Sequence, residues 1–130
     1  MPFKLGFGNR LFETIVYSHV ELVAPSISGF NDQIISKDKL ENYELVCDVT
    51  GNPPPTITWK FNGNSVDRSK SLNSTTACKF TNPGIYYITS APNKLALCKL
   101  AYTIHQGMYE CTATNEVTAT SQTMNLTVQG

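Results

Sequence analysis

The stretch Gln106-Gly107-Met108-Tyr109-Glu110-Cys111-Thr112-Ala113-Thr114-Asn115 decides the fold of this chain. Alternate residues of an extended strand share a face. Tyr109, Cys111 and Ala113 therefore point one way, and Glu110, Thr112 and Thr114 the other. Toward the N-terminus the same period of two returns. Tyr43, Leu45, Cys47 and Val49 alternate with Glu44, Asp48 and Thr50, broken only by Val46. Ile57, Trp59 and Phe61 alternate with Thr56, Thr58 and Lys60. Between those two runs lies Gly51-Asn52-Pro53-Pro54-Pro55, a predicted loop, because prolines cannot donate to a strand ladder.

Outward from these runs, turn signals recur roughly every 8–12 residues, the mark of many short strands. Val23–Ser28 is predicted as a first strand, with Pro25 suited to an edge, and Gln33–Lys37 as its continuation. Asn62-Gly63 is the strongest hairpin turn in the chain, since both residues tolerate positive φ. A short strand over Asn64–Val66 follows, then a polar, Ser-rich loop over Asp67–Thr76. Ala77–Phe80 and Ile85–Ser90 read as strands around the turn Thr81-Asn82-Pro83-Gly84. Lys94–Tyr102 is the next strand, His105-Gln106-Gly107 a corner, and Val117–Gln129 the last strand. No apolar pattern of helical period appears, so the chain is predicted to be all-β.

Composition narrows the class. Lys and Arg number 10, as do Asp and Glu, giving a formal net charge of zero. A nucleic-acid binder shows a basic excess and an acidic-membrane binder a polybasic cluster; neither is visible, and no nucleic-acid partner or membrane insertion is expected. The four cysteines, Cys47, Cys78, Cys98 and Cys111, are even in number and widely spaced, with no CxxC pair and only His19 and His105 as histidines. That pattern fits disulfides better than a metal site, and no cofactor is expected. The sequons Asn73-Ser74-Thr75 and Asn125-Leu126-Thr127 fit a secreted or cell-surface glycoprotein. Residues 1–23 hold no uninterrupted apolar run of signal-peptide type and are expected to be an extension or linker ahead of a domain over residues 24–130. Alternatively Leu11–Val23 adds a strand or mediates dimerisation.

Cys47 on an early alternating strand, Trp59 after the Pro-rich loop, and Tyr109-x-Cys111 on a late strand resemble the immunoglobulin superfamily. The likeness is closest to its I-set branch, on Gly51-Asn52-Pro53-Pro54-Pro55 and on Tyr109-x-Cys111-x-Ala113-x-Asn115. The resemblance implies an immunoglobulin-like Greek-key β-sandwich with a Cys47–Cys111 bridge. Two sheets pack about 10 Å apart, so such a bridge fits only at the centre of the core, where both partners point inward. Trp59 then covers the sulfurs, and Tyr109 takes the place of the tyrosine corner. Two departures stand out. The family usually places Asp where this chain has His105, and that Asp pairs with an Arg at the start of a neighbouring strand; the ion pair is not expected here. Thr118 stands where a glycine of the last strand is common. Cys78 and Cys98 lie outside the framework, Cys98 where the family usually has a buried aliphatic residue. A second bridge between neighbouring strands is expected, with free thiols as the alternative. Extra cysteines of this kind loosely resemble short secreted immunoglobulin proteins of nervous tissue.

Catalysis is not expected. His105 sits at a corner, where a surface position is predicted. Asp48, Asp67, Glu110 and Glu116 have no evident concave site in which to converge. Gly6-Phe7-Gly8 lacks the strand and helix that a phosphate loop needs, and no small-molecule substrate is implied. The resemblance implies instead an extracellular recognition module in adhesion or signalling, with an unidentified protein partner and homophilic binding as one option. Its candidate docking face is the outward side of the sheet holding the Trp59, Cys111 and last strands: Thr58, Lys60, Glu110, Thr112 and Thr114. The rival reading is a structural I-set spacer of a titin-like intracellular muscle protein.

Overall fold

The computed structural model describes residues 20–130. The expectations for residues 1–19, including most of the Leu11–Val23 segment and His19, lie outside the described residues. Among the described residues there are eleven strands and two short helical turns: β1 (Val23–Ser28), β2 (Gln33–Ser36), β3 (Tyr43–Val46), β4 (Asp48–Asn52), β5 (Thr56–Phe61), β6 (Asn64–Ser65), β7 (Ser71–Leu72), β8 (Gly84–Ile88), β9 (Lys94–Cys98), β10 (Gly107–Thr114) and β11 (Ala119–Gln129). A 3₁₀ helix covers Thr75–Phe80, and the single-turn helix α1 covers Tyr102–His105.

One sheet has the order β2-β11-β10-β5-β6. The other has the order β3-β9-β8-β7 and is extended by the β1-β4 pair, since β4 continues β3 past a break at Cys47. The break has a local cause. The Cys47 amide donates to the Asn93 carbonyl at 2.8 Å instead of to the ladder, and the chain then changes partner from β9 to β1. The predicted single strand over Tyr43–Thr50 is therefore two strands, and the second runs on to Asn52. Gln33–Lys37 does not continue the first edge either. Gly29, at φ 70°, turns the chain across the sandwich, and β2 pairs in parallel with β11 of the opposite sheet. Asn62 and Gly63, at φ 50° and 84°, form the predicted hairpin turn.

The core lies between the sheets. Trp59 is 1% exposed and stands beside Cys111 in the β5–β10 register. Cys47 and Cys111 form a disulfide with Cα atoms 6.5 Å apart. Phe30 meets the Trp59 ring edge-on at 5.6 Å, and the Trp59 indole N–H donates to the Pro92 carbonyl at 2.9 Å. Leu45, Leu95, Leu97, Met124 and Leu126 complete the packing.

Ala77–Phe80 is not a strand. β7 runs parallel to β8, and a parallel pair needs a crossover rather than a tight turn. Residues 73–83 make that crossover and lie over the outer face of β8 and β9. A second apolar cluster forms beneath them from Cys78, Tyr86, Ile88, Ala96 and Cys98. Cys98 thus faces away from the main core. Leu95 and Leu97 hold the core parity on β9, so Ala96 and Cys98 take the other face. The Cys78–Cys98 disulfide, with Cα atoms 5.1 Å apart, fastens the crossover to the sheet. Thr75 adds a second tie, its hydroxyl donating to Glu44 Oε2 at 2.8 Å. β9 stops at Cys98, short of the predicted Tyr102, because Lys99 takes φ 56° and leaves the sheet.

Candidate docking face

The register between strands sets out the face row by row. Lys60, Glu110 and Thr123 stand abreast; Thr58, Thr112 and Ser121 form the next row; Thr56, Thr114 and Ala119 the third. All five residues predicted from the sequence lie on this one side. Thr58, Lys60 and Thr114 are exposed, whereas Glu110 and Thr112 are half-buried between their neighbours. The Thr112 and Ser121 hydroxyls are 2.7 Å apart, and Thr56 Oγ1 donates to the Thr114 carbonyl at 3.3 Å. The result is a hydroxyl-rich surface bearing one cation and one anion in adjacent strands. Asn125 is exposed on the same side, one row beyond Thr123 and opposite Met108. Asn73 is exposed beside the crossover, away from this face.

One end of the face is closed by Asn115, the last residue of the Tyr109-x-Cys111-x-Ala113-x-Asn115 motif. Its side-chain N–H₂ donates to the Val23 carbonyl at 2.8 Å and the Pro53 carbonyl at 3.1 Å. Its Oδ1 accepts from the Val117 amide at 2.9 Å. One amide therefore joins β1, the Pro-rich loop and the β10–β11 turn. Thr118 needs no glycine: its carbonyl accepts from the Asn115 amide at 3.0 Å, and the register from Thr114↔Ala119 onward is unbroken. β11 begins only after this turn, at Ala119.

The opposite end is organised by His105, which is fully buried rather than on the surface. Nδ1 accepts from the Ala101 amide at 3.1 Å, which leaves Nε2–H to donate to the Gly84 carbonyl at 2.8 Å. That pair of partners fixes the neutral ring. The Tyr109 hydroxyl donates to the His105 carbonyl at 2.6 Å, closing the tyrosine corner. His105 thus ties the corner to the start of β8, where the family's Asp would have used an ion pair. Burial without a nearby anion pushes the imidazole below its ordinary 6.5. Burial likewise drives the Tyr109 hydroxyl far above its usual range, so it stays a neutral donor.

Two expectations follow. Tyr109→Phe leaves the His105 carbonyl without its partner and should cost about 1–2 kcal/mol in urea unfolding; an unchanged midpoint would exclude the corner bond. For His105 the folded value is depressed, so below about 6.5 the unfolded chain takes up a proton that the folded chain refuses. The ring's contribution is therefore complete above that pH and is lost as the pH falls below it. His105→Gln should flatten this part of the stability–pH curve, and parallel curves would refute the assignment.

All four cysteines are in disulfides. Among the described residues no group of three His, Cys, Asp or Glu side chains could hold a metal ion. Two facing sheets, a buried cystine between them, a tryptophan beside it and a tyrosine corner define a disulfide-cored β-sandwich of the antibody-domain type. The chain belongs to the immunoglobulin domain family, whose family model matches residues 24–115.

Hemicentin-1 from Homo sapiens is 32% identical over 93 residues, covering 72% of this chain and 1% of that protein. Neural cell adhesion molecule 1 from Bos taurus is 30% identical over 125 residues, covering 93% of this chain and 14% of that protein. The chain therefore spans only a small part of these relatives. Among solved structures, a titin M4 domain superposes with a TM-score of 0.61 at 18% identity, covering 84% of this chain and 99% of that one. The tandem Ig repeats of Dlar give 0.59 at 24% identity, covering 85% of this chain and 50% of that one. These two likenesses concern the fold.

Proposed function

We propose that this chain is a non-catalytic recognition module of an extracellular or cell-surface protein, docking a protein partner through the outward face of β5, β10 and β11 in adhesion or signalling. The observation that carries this reading is the asymmetry of the two sheets. The outer side of β8 and β9 is covered by the disulfide-fastened crossover, whereas the Thr58–Thr112–Ser121 face is open. Relatives whose names describe cell adhesion molecules support the same reading. Two disulfides suit an oxidising compartment. The domain of this reading runs over residues 24–130, with residues 1–23 as an extension. Glycans on Asn73 and Asn125 are part of it, the first remote from the face and the second along its border.

The test is a screen of the tagged, dimerised chain against an array of expressed ectodomains. Thr58→Arg and Thr114→Arg, both at exposed positions, should abolish binding to any partner found. Val46→Arg, exposed on the other sheet, should not. Binding that survives both face variants would overturn the assignment.

A further inference from the structure

We infer that this chain self-associates weakly through a knob and groove, with Phe80 of each copy seated in an apolar groove of the other. Phe80 is 82% exposed, the most exposed of the large apolar side chains among the described residues. A lone exposed apolar residue is ordinary; what sets this ring apart is the fastened turn that carries it. The turn is held on both sides of Phe80. The Cys78–Cys98 bridge fixes the backbone two residues before it. The Thr81 hydroxyl donates to the Ala77 and Cys78 carbonyls at 3.2 and 3.0 Å just after it. The Tyr86 hydroxyl then holds the Asn82 carbonyl at 2.8 Å. A preorganised anchor of this kind loses little conformational entropy on docking.

The hole lies near the turn that carries the knob. An open hollow of about 380 Å³ has Phe61, Val66, Ile85 and Ile104 among its lining, together with the charged Asp67 and Lys70. Pro83 also lines it, three residues from Phe80. Three residues span at most about 10 Å, so the backbone of Phe80 lies within that distance of the groove's Pro83. This closeness matters for symmetry. A two-fold axis between them lets each copy give its ring and receive the other's in one closed contact. Had they stood at opposite poles, the same contact would have built an open chain.

The charges agree. Lys79 flanks the knob, its ammonium 5.2 Å from the Phe80 ring centre, and Asp67 borders the groove. The groove's own cation, Lys70, has its ammonium 5.3 Å from the Tyr86 ring centre and acts on Asp67 through space, while Asp67 Oδ1 accepts from the Ser69 amide and hydroxyl at 2.9 and 2.7 Å. In the exchanged pair Lys79 of one copy approaches Asp67 of the other.

Sedimentation velocity on the full chain, in a concentration series reaching about 1 mM, tests this inference. The wild-type sedimentation coefficient should rise with concentration to that of a dimer. Phe80→Ser and Ile104→Glu should each weaken the dimer at least tenfold. Lys79→Glu should weaken it, and adding Asp67→Lys should restore it. Thr114→Arg, on the docking face proposed above, should leave it unchanged, which separates the two surfaces. A wild-type chain that stays monomeric throughout, or dimers that persist undiminished in Phe80→Ser or Ile104→Glu, would overturn the inference. Phe80 is almost free of contacts at its ring, so loss of fold does not confuse the first variant.

Discussion

Replacing Trp59 with alanine is expected to lower the unfolding free energy by about 3–5 kcal/mol. The side chain fills the centre of the sandwich, beside the Cys47–Cys111 bridge and edge-on to Phe30. Its removal takes away a large buried area and leaves a cavity between two sheets tied together by a disulfide. Sheets pinned at their centre cannot collapse to fill such a space, so the upper part of the range is expected. Loss of the indole bond to the Pro92 carbonyl adds little, because Pro92 is exposed and water replaces the donor. Trp59→Phe keeps most of the ring and should cost much less. Equilibrium unfolding in urea reads both variants, and a loss below about 1 kcal/mol for Trp59→Ala would place the tryptophan outside the core.

The second large effect concerns the two bridges, whose removal should have different consequences. Cys47 and Cys111 are 64 residues apart, and Cys78 and Cys98 are 20 apart. In the chain-entropy account, opening these loops costs about 4 and about 3 kcal/mol respectively. The first loss is global, since that bridge joins the sheets. The second is confined to the crossover, since the main core does not contain Cys78 or Cys98. The Cys47→Ala, Cys111→Ala chain should therefore unfold as a whole under mild denaturant. In the Cys78→Ala, Cys98→Ala chain, hydrogen exchange should quicken in residues 73–83 while Trp59, Leu95 and Leu97 stay protected. Equal exchange across both chains would contradict the division into two clusters.

The framework was legible because its residues report on one another. Cys47, Trp59, Tyr109 and Cys111 each sit at the inward parity of a strand with period two, so sequence spacing translates directly into a shared core. The outward side of β5 and β10 was legible by the same parity in reverse: whatever opposes Trp59 and Cys111 points outward. The crossover was not legible. Its sequence is polar and rich in Ser and Thr, and what orders it is a disulfide and a sheet surface supplied from elsewhere in the chain. Counted from Leu95 and Leu97, Cys98 falls on the outer face of β9, where it marks the second cluster. His105 failed for another reason. A polar residue at a corner reads as surface unless its partners are known, and one of them, Gly84, lies 21 residues upstream. Phe80 was drawn into a predicted strand by its apolar neighbours, whereas in the fold it is left bare.

A domain closed by two disulfides is suited to an oxidising compartment. Intact mass of the chain isolated from its native source, without reductant, tests this most directly, followed by peptide mapping of the bridges. The predicted result is the loss of four thiol hydrogens, with Cys47 linked to Cys111 and Cys78 to Cys98. Four free thiols in the native protein would contradict it and would favour the intracellular spacer.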